Sequence, residues 1–375
     1  MIMNKQEKSG LSHEKIWLLQ AALLSDKTGL NSWQQWRETV DIENIDTESY
    51  RLLPLLYRNL SAQEVIDVHI ARLKGVYRRT WVENQVLFQV ITPILKSFQD
   101  KGIKSLLLKD AALNLHYYCD NGLRMISNLE LLIQPSDALI GINLLQNLGW
   151  QVTGKVPQEI LPFSQAIGFK NSSNQSFILR WHLFADGFAE KAEHDFWKNT
   201  IITQLGELSI HILNPTDQLL YICGALKNQV ISSNRLADAA IIINTSENQI
   251  DWKQLIIKAQ EYRLVLVLKN MITALQEILN ISIPSSILTE IMNLSISRFE
   301  DREYQIMTQE NNSVLDRLNL RYYQYARMVS DENGKSNFLG FTQYLQYLWG
   351  LENLWQVPYH ATIKGIKRLV EKAES

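Results

Sequence analysis

The chain is short of cysteine, of net charge and of long apolar runs, and each shortage excludes something. Its 375 residues include two cysteines, Cys119 and Cys223. Two thiols make no disulfide framework in a chain of this length, and neither stands in a metal-type spacing. They read as reduced, partly buried thiols of a cytosolic protein. The formal net charge is −2, which argues against general nucleic-acid binding, since such binders are usually basic. No apolar run approaches the length of a membrane span. The stretch Met1-Ile-Met-Asn-Lys-Gln-Glu-Lys8 is polar and of mixed charge, without the apolar region of a signal peptide. A cytoplasmic location and no membrane partner are therefore expected. Glycine-rich phosphate loops of the Walker or Rossmann kind are absent, and no internal repeat or low-complexity segment stands out.

The chain does have enough apolar residues for real cores. It is 46% hydrophobic and 20% charged, ordinary for a globular protein and long enough for two or three domains. Residues 12–60 read as short helices. Residues 63–101 read as one long helix, its stripe formed by Ile66, Ile70, Leu73, Val76, Leu87, Val90, Ile94 and Phe98. Pro93 predicts a kink or break near Thr92, and Gly102 a stop. The basic run Arg72–Arg79 reads as a solvated helix face. From Ile103 the pattern changes. Lys104–Lys109, Asn128–Ile133, Trp150–Thr153, Ala166–Lys170, Ser176–His182 and Leu208–Leu213 are strand candidates. Helices are expected at Ala111–Tyr118 and from Ser136, as N-cap, to Leu148. Beyond Pro215 the chain reads as almost wholly helical, with candidates at Leu236–Ile243, Trp252–Glu261, Val265–Leu279 and Ser285–Leu294, and a loop at Ser330–Ser336. The expected division is 1–102 helical, 103–213 α/β and 214–375 helical bundle.

One constellation carries chemistry. In the apolar run Asn128-Leu-Glu-Leu-Leu-Ile133, Asn128 and Glu130 stand two apart and share a strand face. Paired carboxylates in that arrangement would hold magnesium, but the first member here is an amide. Upstream, Leu108-Lys-Asp-Ala-Ala-Leu113 places Lys109 at a strand end, where it is either an anion anchor or a solvated residue. Asp110 is either a helix N-cap, the favoured reading, or half of a carboxylate pair with Glu130 for acid–base work. Arg124 suits bidentate anion binding or an ion pair with Asp110 or Glu130. On Phe177-Ile-Leu-Arg-Trp-His-Leu183, Arg180 and His182 share a face, and His182 is either a base or a structural histidine. His116 and Cys119 lack a second His/Cys pair, so zinc is not expected.

These segments resemble a large group of bacterial proteins known as uncharacterised nucleotidyltransferases. That family's motif looks like Leu-Lys-Gly-Ala-Ala-Leu, an arginine, then Asp-Ile-Asp-Leu-Leu-Val. A later strand resembles Val-Asp-Leu-His-Trp-His-Leu, and a helix resembles Leu-Ala-Asp-Ile-Ala. The resemblance runs from Trp36 to about Pro358 and matches Asp238 in Leu236-Ala-Asp-Ala-Ala240. It implies an α/β (α+β) fold: a nucleotidyltransferase-like mixed sheet between N-terminal helices and a C-terminal helical bundle. It also shows departures. The three metal-binding carboxylate positions correspond to Asn128, Glu130 and Ile178, the family glycine to Asp110, and a family histidine to Arg180. Gly224 and Asn228 lie near places where the family has further histidines.

The expectation is therefore a diverged member with a degenerate metal site. It would act on, or bind, a small molecule or peptide of a biosynthetic pathway, with no metal and no cofactor. Glu130, His182 and Asp110 are the catalytic candidates, and Lys109, Arg124, Asn128, Arg180 and Asp238 the substrate-binding ones. The alternatives are an active transferase using Mg²⁺ and a nucleoside triphosphate, and a non-catalytic interaction partner.

Overall fold

The computed structural model describes residues 10–153, 164–184, 190–226, 232–308, 313–329 and 338–373. Four short helices open the described residues: α1 His13–Leu23, α2 Lys27–Thr39, α3 Thr47–Tyr50 and α4 Leu53–Ala62. Ser12, Asp26 and Asp46 cap the first three, each side chain accepting a backbone N–H of the first turn. Helix α5, Ile70–Asp100, is the long helix expected, with two corrections. It begins after Ile66, which is 98% exposed and no part of the stripe. It also continues through Pro93 without a break. Gly102, at φ +71°, ends the turn beyond it.

Seven strands form one mixed sheet in the order β3-β4-β5-β2-β1-β7-β6. They are β1 Ser105–Leu107, β2 Leu129–Ile133, β3 Gln151–Val152, β4 Ala166–Lys170, β5 Ser176–Arg180, β6 Ile201–Leu205 and β7 Leu208–Ile212. Strand β2 runs antiparallel to β1 and parallel to β5. Strands β6 and β7 form a hairpin that turns at Gly206, φ +59°. Between strands lie α6 Lys109–Leu113, α7 Ala138–Asn147 and α8 Glu190–Lys198. Ser136 is not the cap of α7. It sits inside a tight turn, Pro135–Asp137, that leads into the helix.

The register sorts the sheet into two faces. Leu129, Leu131 and Ile133 lie beside Phe177 and Leu179 on the face that α5 and α7 cover. There α7 approaches so closely that a Cβ on Gly141 would crowd Ile133, Phe98 and Leu179. The opposite face carries Glu130, Leu132, Ile178 and Arg180. Helices α9 Pro215–Leu226 and α10 Ser233–Thr245 follow the last strand. Next come α11 Trp252–Glu261, α12 Val265–Leu279, α13 Ser285–Asn293, α14 Arg298–Thr308, α15 Val314–Val329, α16 Phe338–Leu348 and α17 Gln356–Ala373. The expected loop Ser330–Ser336 lies outside the described residues. One continuous apolar core runs from Leu11 to Ile291. Among the described residues no helix is long and apolar enough to cross a membrane.

Candidate functional site

Glu130 is the centre of the site because its strand is buried along its whole length. Its side chain has no exposed surface, while Lys109 keeps 26% and Arg180 14%. A carboxylate in such a place needs partners, and two cations supply them. Lys109 Nζ reaches Oε1 at 2.5 Å, and Arg180 Nε reaches Oε2 at 2.7 Å. Arg180 arrives there through the register of β5, in which Arg180 stands opposite Leu132, two residues on from Glu130. Lys109 arrives by a backbone device. It is not the end of a strand but the first residue of α6, held at φ +53°, a left-handed conformation uncommon outside glycine. Burial lowers the Arg180 guanidinium pKa, but Tyr221 and Glu130 outweigh it and the net shift is upward.

A second charge cluster lies beneath. Asp110 is not an N-cap, since α6 starts from Leu108 without a side-chain cap. Its carboxylate instead accepts from Arg124 Nη2 at 2.8 Å, and from the Ser127 hydroxyl at 2.7 Å and backbone N–H at 3.2 Å. Arg124 also donates through Nε and Nη2 to the two oxygens of Asp238, at 2.8 and 3.0 Å, and through Nη1 to the Met125 carbonyl at 3.1 Å. Tyr118 donates to Asp238 at 2.8 Å. All three charged residues are buried. Burial pushes the Asp110 carboxyl up, but Arg124, Arg235 and Ser127 hold it below the usual range. Burial likewise works against the Arg124 charge, and Asp110 and Asp238 more than offset it.

Buried amides position the Arg124 loop. Asn84 of α5 donates to the carbonyls of Asn121 and Arg124 at 2.7 and 2.8 Å and accepts from Ile126 N–H at 3.1 Å. Asn114 donates to the Arg124 carbonyl at 3.0 Å. Residues 114–118 form a wide turn closed by the Cys119 N–H on the Asn114 carbonyl, with Cys119 itself at φ +52°. Cys119 is exposed, not partly buried, and Cys223 is buried.

Helices α9 and α10 complete the surroundings. Gly224 lets α9 meet Phe184, whose ring a Cβ at that position would overlap. Tyr221, one turn earlier, packs on the same ring with centroids 6.0 Å apart. Helix α10 brings Asp238 and also Arg235, whose Nη1 lies 3.5 Å from Asp238 Oδ2. Its first turn is tied down by Glu48, which accepts from the Ser233 N–H at 2.6 Å and hydroxyl at 2.9 Å.

The structure thus brings Lys109, Glu130 and Arg180 together, and separately Asp110, Arg124 and Asp238. Asn128 is exposed just before β2, and Ile178 sits beside Glu130 in the register. His182 lies two residues past Arg180, half-buried and beyond the strand end. Asn228 lies outside the described residues. Asn84, Asn114, Tyr118, Tyr221 and Arg235 were not singled out from the sequence as site residues. The signal for Asn84 was available: it and Thr80 are polar residues on the buried stripe between Val76 and Phe88. Among the described residues no group of three or more His, Cys, Asp or Glu side chains is arranged to hold a metal ion.

A comparison with curated proteins gave no match. A family model described as uncharacterised nucleotidyltransferase matches residues 47–280, a stretch that contains the whole sheet, both charge clusters and helices α9 and α10, and the chain accordingly belongs to the uncharacterised nucleotidyltransferase family.

Proposed function

We propose that this chain is a diverged member of its family, one that binds an anionic group of a small molecule or peptide directly on protein cations instead of through magnesium. The observation that carries this reading is the pairing of Glu130 with both Lys109 and Arg180. The metal and nucleotide that the family name implies do not fit these residues. Two-metal transfer needs several anionic oxygens aimed at one point. Asn128 offers a neutral amide at the surface, Ile178 has no ligand atom, and each Glu130 oxygen already faces a cation. Counting Lys109, Arg180 and Glu130, the open face has a charge of one plus, which favours an anion over a divalent cation.

In this reading Lys109 and Arg180 are the anchors, and Glu130 pairs with both and competes with the ligand for their donors. His182 follows Arg180 by two residues, just beyond the strand end, and histidine is the side chain best suited to moving a proton near neutral pH. Asp110, Arg124 and Asp238 act as the floor that fixes the Lys109 turn and α10. A substrate from a biosynthetic pathway is part of the same proposal.

Calorimetric titration with inorganic phosphate and with carboxylates, in EDTA, tests the reading. Metal-independent binding that is lost in Arg180→Gln is the expected result. Binding that requires Mg²⁺ and a nucleoside triphosphate would instead favour an active transferase.

A further inference from the structure

Helix α17, Gln356–Ala373, lies beyond residue 280, where the family match ends, and beyond the main apolar core, which runs to Ile291. One of its faces is docked. Val357 is buried, the His360 ring lies 5.3 Å from a ring of Trp349, and Lys364 Nζ lies 5.0 Å from the same side chain's ring. Positions 357, 360 and 364 follow helical spacing, so they define the face that meets Trp349, just past the end of α16. Residues 355, 359 and 363 follow the same spacing on another face. Trp355, in the turn that leads into α17, is 70% exposed, Tyr359 66% and Ile363 42%. Leu354, next to Trp355, is exposed as well. Single exposed apolar residues are ordinary, but three in a row form a stripe, and a surface helix normally turns its stripe to the core. Here a lysine lies on the protein and a tryptophan in water. The sequence from 364 to 372 holds four cations, Lys364, Lys367, Arg368 and Lys372, against one acid, Glu371, in a chain whose net charge is −2.

We infer that α17 lies on an anionic membrane surface, with Trp355, Tyr359 and Ile363 inserted at the headgroup boundary. Tryptophan and tyrosine are the side chains that settle at that boundary, and an apolar stripe on a helix rich in lysine and arginine is the pattern of a helix lying in the interface. Charge and area favour lipid over a second copy of the chain. A symmetric contact between two copies would set two basic helices against each other. Three side chains are also too few for a stable dimer interface, which buries about 800 Å² per partner. Reversible membrane binding instead draws on apolar area and on attraction to anionic lipid together. The shortage of long apolar runs excludes a span, and no helix among the described residues could cross a membrane, but a helix lying in the interface needs a stripe and not a run. The inference stands apart from the anion site on the sheet.

The test floats the full chain with vesicles of phosphatidylcholine and phosphatidylserine, and separately with phosphatidylcholine alone. Binding to the mixed vesicles is expected, weaker on phosphatidylcholine and weaker as salt is added. Trp355→Ser is expected to reduce partitioning about tenfold, and the double change Trp355→Ser with Tyr359→Ser to reduce it further. Helix content by circular dichroism and the denaturation midpoint should not change in these variants, because the side chains removed are exposed. Ile66→Ser, at a residue that is 98% exposed but far along the chain from α17, should bind vesicles as the wild type does. No binding to the mixed vesicles, equal binding to phosphatidylcholine alone, or full binding by the folded double variant would each overturn the inference. Sedimentation as a dimer that the double variant abolishes, without vesicle binding by the wild type, would overturn it too and assign the stripe to a second copy.

Discussion

Two charge clusters lie within a few residues of each other, and they differ in what is left over. Around Arg124 each of the three guanidinium nitrogens is engaged. Its nitrogens serve Asp110, Asp238 and the Met125 carbonyl, while Tyr118 and Ser127 fill further sites on the two carboxylates. All the charged members are buried. Around Glu130 a single carboxylate serves two cations that keep spare donors and partial exposure. Saturation and burial are what a structural staple requires. Unspent donors at the edge of solvent are what a binding site requires. Proximity alone would have merged the two into one active site.

The sharpest way to break this distinction is Arg124→Met. It leaves Asp110 buried without its ion-pair partner and Asp238 with only the 3.5 Å contact of Arg235, and a loss of about 3–5 kcal/mol is expected. Chemical denaturation measures it, and a small loss would mean that the cluster is no staple. Next in size is Asp110→Asn, with an expected cost of about 2–3 kcal/mol at neutral pH from weakened charged hydrogen bonds. Its pH dependence has a definite sign. The folded carboxyl is held below its ordinary value, so the unfolded chain takes up the proton first on acidification. The contribution is therefore complete above the unfolded pKa and disappears as pH falls through the folded one. The gap between wild type and Asp110→Asn should accordingly close on the acid side and stay constant on the alkaline side.

Changes at the open cluster should cost less and alter binding more. Glu130→Gln is expected to destabilise by about 1–2 kcal/mol, because both cations can turn toward water. The same change should tighten phosphate or acetate binding by freeing them. Weaker anion binding in that variant would show that Glu130 orders the cations more than it competes with the ligand. The smallest effect concerns the backbone. Lys109 sits at φ +53°, where glycine alone is unstrained. Lys109→Gly should therefore be more stable than Lys109→Ala by about 1 kcal/mol, and equal midpoints would contradict the left-handed turn.

Legibility in the sequence followed periodicity and failed where contacts are distant. Ala166–Lys170, Trp252–Glu261 and Val265–Leu279 have the residue limits expected from pattern alone, because an apolar run between turn residues fixes both type and length. Strand β6, Ile201–Leu205, was missed. It is a short edge strand whose five residues mix apolar and polar without a marked run. The turn at Lys109 was hidden because a lysine gives no sign of positive φ. The motif put Lys109, Glu130 and Arg180 in view, and their pairing follows from strand register. The closure of Arg124 on Asp238 spans 114 residues, and no local spacing encodes that. Arg235 and Tyr221 were passed over for the same reason: each becomes notable only once α9 and α10 are laid on the sheet.

The most direct test is one calorimetric comparison on the wild-type chain: ATP with Mg²⁺ against inorganic phosphate and acetate with EDTA. The expected result is no metal-dependent ATP binding, together with binding of at least one simple anion that Arg180→Gln abolishes. Micromolar ATP binding that needs Mg²⁺ and is lost in Glu130→Gln would contradict it, since Glu130 would then be holding a metal and not two cations.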